Sequence, residues 1–543
     1  MFEYLTSQLT ARLEELGWPT DRLQLSRPKK AENGDWACNI AMALARDLKR
    51  APMQIAEELM DGLSLDSSIV EKFEILNPGF INFFQSADYL TAQVRNILKE
   101  KDEYGKGDFG NGKTAQVEFV SANPTGPLTV GHGRQTVLGD TLANILSWSG
   151  YDVTREYYFN NAGRQMRLLG ESLKARYMEL KGESITLPDG GYEGAYLIDV
   201  AKALMSEQPD LTDSDEIDIF KTYAEESIFA IIKSSLERIG VVHDVFYNER
   251  SLYEAGKIDE VLDILREKGL LYDKDGATWF KTSELGIEQD RVLVKSSGEP
   301  TYRLPDIAYH REKVARGFDL IVDIFGADHI DAYPDVLSAL KVMGLKHEHI
   351  QVVIHQFVTL LRSGEVVKMS TRKANFVTLD ELIDEVGTDV VRYFYIMRSA
   401  SSHLNFDLDL AKRQTEENPV FYLQYAHARI SSIFRRAQER GLVSDTENAD
   451  LSLLNEEFTV ALINKTLEFS EVIDHCRRAL EVHHLPSYLF DLATALHKFY
   501  TEYKVIDLDA PELSKARLAL LEAVQITLRN GLRILGISAP EQM

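Results

Sequence analysis

Hydrophobic and polar positions follow two rhythms along this chain, and the places where each holds predict its elements. Residues 2–17 carry an amphipathic helical stripe closed by Gly17. After the turn Asn33-Gly34-Asp35, the residues Ile40, Ala43, Leu44, Ala45 and Leu48 begin a second stripe, and residues 75–84 (ILNPGFINFF) read as strand, turn, strand. Residues 115–120 (AQVEFV) form a short apolar run with β-branched and aromatic members, the pattern of a buried strand. The breaker-rich stretch 121–127 (SANPTGP) then turns the chain. Leu138, Leu142, Ile145 and Leu146 mark one face of a helix that stops at Gly150, and residues 152–159 read as the next strand. This strand–helix–strand unit carries Gly131 and Gly133 at the mouth of its helix, where a nucleotide phosphate can approach the backbone and the helix N-terminus.

Further along, residues 163–181, 217–239 and 258–269 read as helices, 182–194 as a loop with little periodicity, and 275–310 as a return to strands. Residues 318–325 and 351–357 predict strands with a helix at 333–343 between them, and Thr378 with Glu381 forms a capping-box pattern before a helix ending at Gly387. From residue 388 the pattern is helical, with segments at 419–440, 454–482, 485–505 and 513–535. The expected fold class is α/β: a Rossmann-like core, an N-terminal α+β domain and a C-terminal all-α bundle. The boundaries drawn are 1–105, 106–400 with an insertion at about 160–300, and 401–543.

Composition narrows the classes. A length of 543 residues, 44% hydrophobic and 27% charged, is that of a globular protein of three or four domains. No run approaches the ~18 apolar residues of a membrane span, so no membrane partner is expected. The acidic, amphipathic start resembles neither a signal nor a transit peptide. Cys38 and Cys476 stand far apart, which excludes a disulfide framework and a CxxC site; no structural zinc is expected, and a reducing cytoplasm fits. A net charge of −25 argues against nucleic-acid binding, although a local basic track can exist on an acidic body.

The glycines at the helix mouth are weak evidence alone. The whole phrase SANPTGPLTVGHGR, residues 121–134, resembles the ATP-binding signature of class I aminoacyl-tRNA synthetases, most nearly its arginyl-tRNA synthetase form, ANPTGPLHVGH. Lys368-Met369-Ser370-Thr371-Arg372 resembles the second class I signature, KMSKS, and precedes VTLDELIDEVG. The resemblance implies ATP with Mg²⁺, bound by Pro124, Gly131, His132, Gly133, Lys368, Met369, Ser370 and Arg372, with His132, Lys368 and Ser370 catalytic. It assigns L-arginine to Glu118, Asn123, Tyr302 and Asp306. Carboxylates suit a guanidinium, which donates in a planar fork. Other readings stand beside these: an ordinary salt bridge for Glu118, a helix N-cap for Asp306, and a structural turn for the phrase Gly326-Ala327-Asp328-His329 at a strand end. Two positions depart from the family's pattern, Thr129 where it has histidine and Ala374 where it often has glycine.

The N-terminal pattern KKAENGDWACNIAMALA…NPGFINF resembles the family's domain for the outer corner of tRNA, with Asn77, Phe80 and Asn82 at matching positions. An aromatic ring beside amides is a workable surface for an unstacked base; a core Phe80 and a turn Asn77 are the plainer reading. NPVFYLQYAHARI and the C-terminal KARLALLEAVQITLRNGLRILGISAPEQM resemble the anticodon-binding bundle, within which Tyr425, His427 and Arg429 are expected to pack. The resemblance thus implies ATP-dependent ligation of L-arginine to its tRNA through arginyl-adenylate, by a cytoplasmic monomer. A plain nucleotidyltransferase and a non-catalytic tRNA-binding paralogue remain alternatives. The first would not need the terminal domains, and the second would be expected to lose His132, Lys368 and Ser370.

Overall fold

The structure is a computed structural model that describes the chain apart from residues 29, 184–185, 368–376, 443–445 and 447. Its centre is a five-stranded parallel sheet of β1 (Thr114–Glu118), β2 (Asp152–Phe159), β3 (Val245–Asn248), β4 (Leu320–Gly326) and β5 (Ile350–His355). The order across the sheet is β5-β4-β1-β2-β3. The chain winds away from β1 in both directions, so β1 and β4 flank the switch point of a Rossmann-like fold. Ligands bind in such sheets in the crevice beyond the strand C-termini at that point.

Helix α1 (Val130–Trp148) follows β1. The sequence marks one apolar face, but the structure buries this helix nearly all round, including the polar Arg134, Gln135, Thr136, Asp140 and Thr141. Gly139 allows the closest approach: a Cβ there would lie 2.1 Å from the Phe119 ring. Sheet on one side and C-terminal bundle on the other leave α1 no solvent face, so its polar residues serve contacts between layers.

In the insertion, the three expected helices form at Gly163–Leu180, Ile217–Arg238 and Lys257–Glu267. A fourth, Ala195–Glu207, was not expected; its Leu197, Val200, Ala201 and Leu204 supply the buried stripe. The return to strands gives a three-stranded antiparallel sheet and ends sooner than expected, because helix α2 (Arg303–Ala315) begins right after Tyr302. Asp306 therefore sits in the first turn of α2 and Tyr302 occupies the N-cap, which corrects the N-cap alternative for Asp306.

The N-terminal domain pairs a four-stranded antiparallel sheet with helices Phe2–Glu15, Ile40–Leu48 and Pro52–Met60 around its own apolar core. The C-terminal region is an all-α bundle whose core is continuous with that of the central α/β domain. The segment expected as one helix at 454–482 breaks into Glu457–Leu467 and Phe469–Ala479, and Leu480 at φ +54° turns the chain into His484–Glu502. Arg392 joins the layers: it donates to Asp140 of α1 at 2.5 Å and to the carbonyls of Ile239 at 2.9 Å and Leu535 at 2.7 Å.

Candidate active site

A cavity of about 700 Å³ opens beyond the C-terminal ends of β1 and β4. Its floor is a buried charge network. Glu118, the last residue of β1, lies opposite Asp323 of β4 in register. Lys313, fully buried on α2, donates to Glu118 and, at 2.5 Å, to Asp323, which also meets His310 Nε2 at 3.0 Å. Burial alone would raise the Asp323 pKa, but Lys313 and His310 outweigh it and hold the carboxyl below its usual range. Lys313 is likewise raised despite burial, by Asp323 and Glu118. Beneath, Glu156 accepts from Tyr309 at 2.5 Å and from Arg316 at 2.5 and 2.9 Å.

The chain leaves β1 through a strained kink. Val120 and Ser121 have φ of +71° and +44°, a region that a β-branched residue rarely adopts. Local bonds hold it there: Ser121 Oγ donates to Glu118 at 2.8 Å and accepts from the Tyr158 N–H at 3.2 Å. The kink carries Asn123 over the cavity, where its Oδ1 accepts from the Asn160 N–H at 3.0 Å and its Nδ2 donates to Gln165 at 3.2 Å.

At the start of α1, Thr129 and His132 form a reciprocal capping box. His132 Nδ1 accepts from the Thr129 N–H at 3.1 Å, so the neutral ring carries its proton on Nε2. Burial lowers the His132 pKa, only partly opposed by Asp328. The cavity is also lined by Asp306 from α2 and by Glu249, the residue after β3. Glu249 accepts from Tyr158 at 2.6 Å and Asn160 at 2.8 Å, both neutral donors, and burial raises its pKa. At the end of β5, His355 is pushed down to about 4, chiefly by burial, and its Nε2 has no partner among the described residues.

The comparisons with known proteins bear on this arrangement. Residues 93–395 match the family described as tRNA synthetases class I (R), catalytic domain; residues 3–85 match the arginyl tRNA synthetase N terminal domain, and 423–543 the DALR anticodon binding domain. The chain is 49% identical to the arginine–tRNA ligase of Salinibacter ruber over 100% of both chains. The chain belongs to the arginyl-tRNA synthetase family. It is also 50% identical to the arginine–tRNA ligase of Desulfotalea psychrophila, covering 95% of this chain and 94% of that one. Thermus thermophilus arginyl-tRNA synthetase shares its fold, with a TM-score of 0.79 over 99% of both chains at 23% identity.

Against this family frame, the structure brings Glu118, Asn123, Gly131, His132, Tyr302 and Asp306 to one cavity. Tyr302 stands at the rim, 78% exposed. Glu118 is engaged in the salt bridge to Lys313 that the sequence left open as an alternative, while still lining the cavity. Pro124 is buried in the turn, and Gly133 faces away: a Cβ there would meet Leu379 at 2.8 Å and the Tyr395 hydroxyl at 2.9 Å, so packing requires this glycine. Lys368, Met369, Ser370 and Arg372 lie outside the described residues, as does Ala374. The chain beyond them returns to the mouth of α1, where Val130 N–H bonds Val377 O at 3.3 Å and Leu379 N–H bonds Leu128 O at 2.8 Å. The sequence reading missed Glu249, whose available signal was an acidic residue at a parallel-strand C-terminus, and His355, in the same kind of position.

In the N-terminal domain, Asn77 and Phe80 are exposed on one hairpin. Asn82 is 3% exposed, paired in register with Glu74 and Ala37, so the hairpin surface excludes its side chain. In the bundle, His427 is buried and bonds Pro540 O through Nδ1 at 2.9 Å, as expected of packing.

Proposed function

We infer that arginine is activated, and then handed to tRNA, in the cavity at the β1–β4 switch point. The chain carries out ATP-dependent ligation of arginine to tRNA. The arginine carboxylate attacks the α-phosphate of ATP, releasing pyrophosphate and forming arginyl-adenylate. A ribose hydroxyl of the terminal tRNA adenosine then takes the arginyl group and AMP leaves. No protein nucleophile is needed; positioning and charge compensation carry the rate.

The observation that carries the assignment of sides is the polarity of the cavity. One wall offers the N-terminus of α1 with His132, where phosphates bind. Around Tyr158 the lining offers Asp306 and Glu249, with Tyr302 at the rim, where a guanidinium would bind. Asn123 would orient the amino-acid end. Mg²⁺ enters with ATP as part of the substrate. Lys368 and Arg372 would meet the leaving pyrophosphate, with Ser370 beside them. Asn77 and Phe80 would hold the outer corner of tRNA and the helical bundle its anticodon. A monomer in the cytoplasm suffices, since one chain holds every group named; among the described residues no helix is long and apolar enough to cross a membrane.

The test is aminoacylation of total tRNA with each amino acid in turn. Arginine alone should be esterified. Charging of a different amino acid, or none, would overturn the reading. Arginine-dependent ATP–pyrophosphate exchange should require tRNA, as the family resemblance implies.

A further inference from the structure

We propose that the C-terminal bundle carries a site for a divalent transition-metal ion of the zinc type, formed by His475, Glu481 and His484. Their ligand atoms lie within 4.8 Å of one another at a helix–turn–helix corner. His475 lies near the C-terminal end of helix Phe469–Ala479, and His484 opens helix His484–Glu502. Between them Leu480 adopts the left-handed conformation, and Glu481 N–H bonds back to Cys476 O at 3.2 Å. That turn fixes three donors on one surface.

The side chains are arranged as ligands are. The His475 and His484 rings meet edge-on with centroids 4.5 Å apart, and His484 Nε2 lies 3.0 Å from Glu481 Oε2. The His483 ring adds a further imidazole 4.1 Å from that of His484. His475 and Glu481 are exposed and His484 is half-buried, so burying apolar surface does not explain why the rings gather. Two imidazoles and a carboxylate with an open fourth position form a donor set that Zn²⁺ accepts; imidazole nitrogen disfavours Mg²⁺ and Ca²⁺. Tetrahedral bonds of ~2.1 Å need donors about 3.4 Å apart, and side-chain rotation of exposed groups closes the remaining gap. Both cysteines are buried, so this site would use nitrogen and oxygen alone.

A metal here would pin the end of one helix to the start of the next. One helical turn before His475, Glu471 pairs with Arg27 of the N-terminal domain at 2.9 Å. The ion would thus stiffen the helix on which that domain docks.

The experiment strips the full chain with EDTA and titrates it with Zn²⁺, reading stoichiometry by elemental analysis and stability by thermal unfolding. Co²⁺ serves as the optical probe. One equivalent should bind and raise the unfolding temperature. His475→Ala and His484→Gln should each weaken binding at least ~10-fold, the scale for disturbing a metal site. Both variants should keep arginylation when assayed with Mg²⁺ and without Zn²⁺, since neither residue belongs to the catalytic cavity. Absence of binding to the native chain, or undiminished binding and stabilisation in both variants, would overturn the proposal. The second result would move the ion elsewhere, for instance to the cavity histidines.

Discussion

Carboxylates below the cavity and carboxylates in its wall carry the same charge but are held in opposite ways. Below, Glu118 and Asp323 share a fully buried lysine, and Asp323 adds a histidine. Their charge is complete before any ligand arrives. In the wall, the partners of Glu249 among the described residues are the neutral Tyr158, Asn160 and Tyr253, and its pKa is raised by burial. Asp306 stands close enough to raise the pKa values of Tyr158 and Tyr253 after burial has done so, adding a second negative charge to the same wall. Under the proposed function, a guanidinium is the cation that this wall would receive. A cationic partner within the protein holds one pair of carboxylates, whereas Glu249 is held by neutral donors.

The comparison is broken most forcefully at Lys313. Lys313→Met leaves Glu118 and Asp323 facing each other without their cation. The loss of unfolding free energy should be about 3–5 kcal/mol, the scale for removing one partner of a buried pair, measured by denaturant titration. A loss below about 1 kcal/mol would show that the network is not structural. In the wall the same type of change should act on binding instead. Asp306→Asn and Glu249→Gln should each weaken arginine binding by about 1.5–3 kcal/mol, the scale of a hydrogen bond to a charged group, while ATP affinity and folding change far less. Equal losses for arginine and ATP would make these carboxylates structural too.

Acid sharpens the contrast because the two shifts have opposite signs. Asp323 has a lowered folded-state pKa, so its stabilisation is full above the unfolded value of about 3.9 and is lost as pH falls toward the lower folded value. Glu249 has a raised pKa, so ionising it costs stability once pH climbs above the ordinary glutamate value of about 4.3. The proposed guanidinium site uses Glu249 in its ionised form. Affinity for arginine should therefore rise with pH just above the ordinary carboxylate range, and calorimetry should find that step missing in Glu249→Gln.

The residues explain how much of this could be read in advance. The strand–turn–helix around Asn123 and His132 was legible, because breakers, a buried strand and helix-entry glycines are local signals. The fate of Glu118 was not: its partner lies 195 residues away on α2, and nothing local distinguishes a substrate from a lysine as the cation it meets. Glu249 was hard to see for a related reason, since the parallel pairing of β3 with β2 brings it to the cavity. Asn82 looked like a surface amide beside Phe80, but its central strand is covered on both edges by Trp36–Cys38 and Val70–Leu76. Helix α1 misled in the other direction. Its polar positions suggest a solvent face, whereas Asp140 is buried to receive Arg392 from a distant helix.

His132 belongs to both sides of the comparison, and this produces the smallest effect expected here. One ring nitrogen is committed to structure, accepting from the Thr129 N–H, while the residue lines the cavity. Thr129 itself caps α1 and pairs with Thr378 through an isolated bridge, so its place is set by the backbone. The family's usual histidine at this position would add a ring without being needed to cap the helix. Thr129→Ala should cost about 1 kcal/mol of stability, the usual scale of an N-cap, with little effect on activation. Thr129→His should change the single-turnover activation rate only modestly at saturating ATP. His132→Ala removes the Nε2 donor and the return bond of the capping box together, so its activation rate should fall much further than that of Thr129→Ala. A large gain from Thr129→His would reverse this: it would mean that the phosphate wall, like the arginine wall, is left incomplete by its own residues, and that this chain is a weakened member of its family.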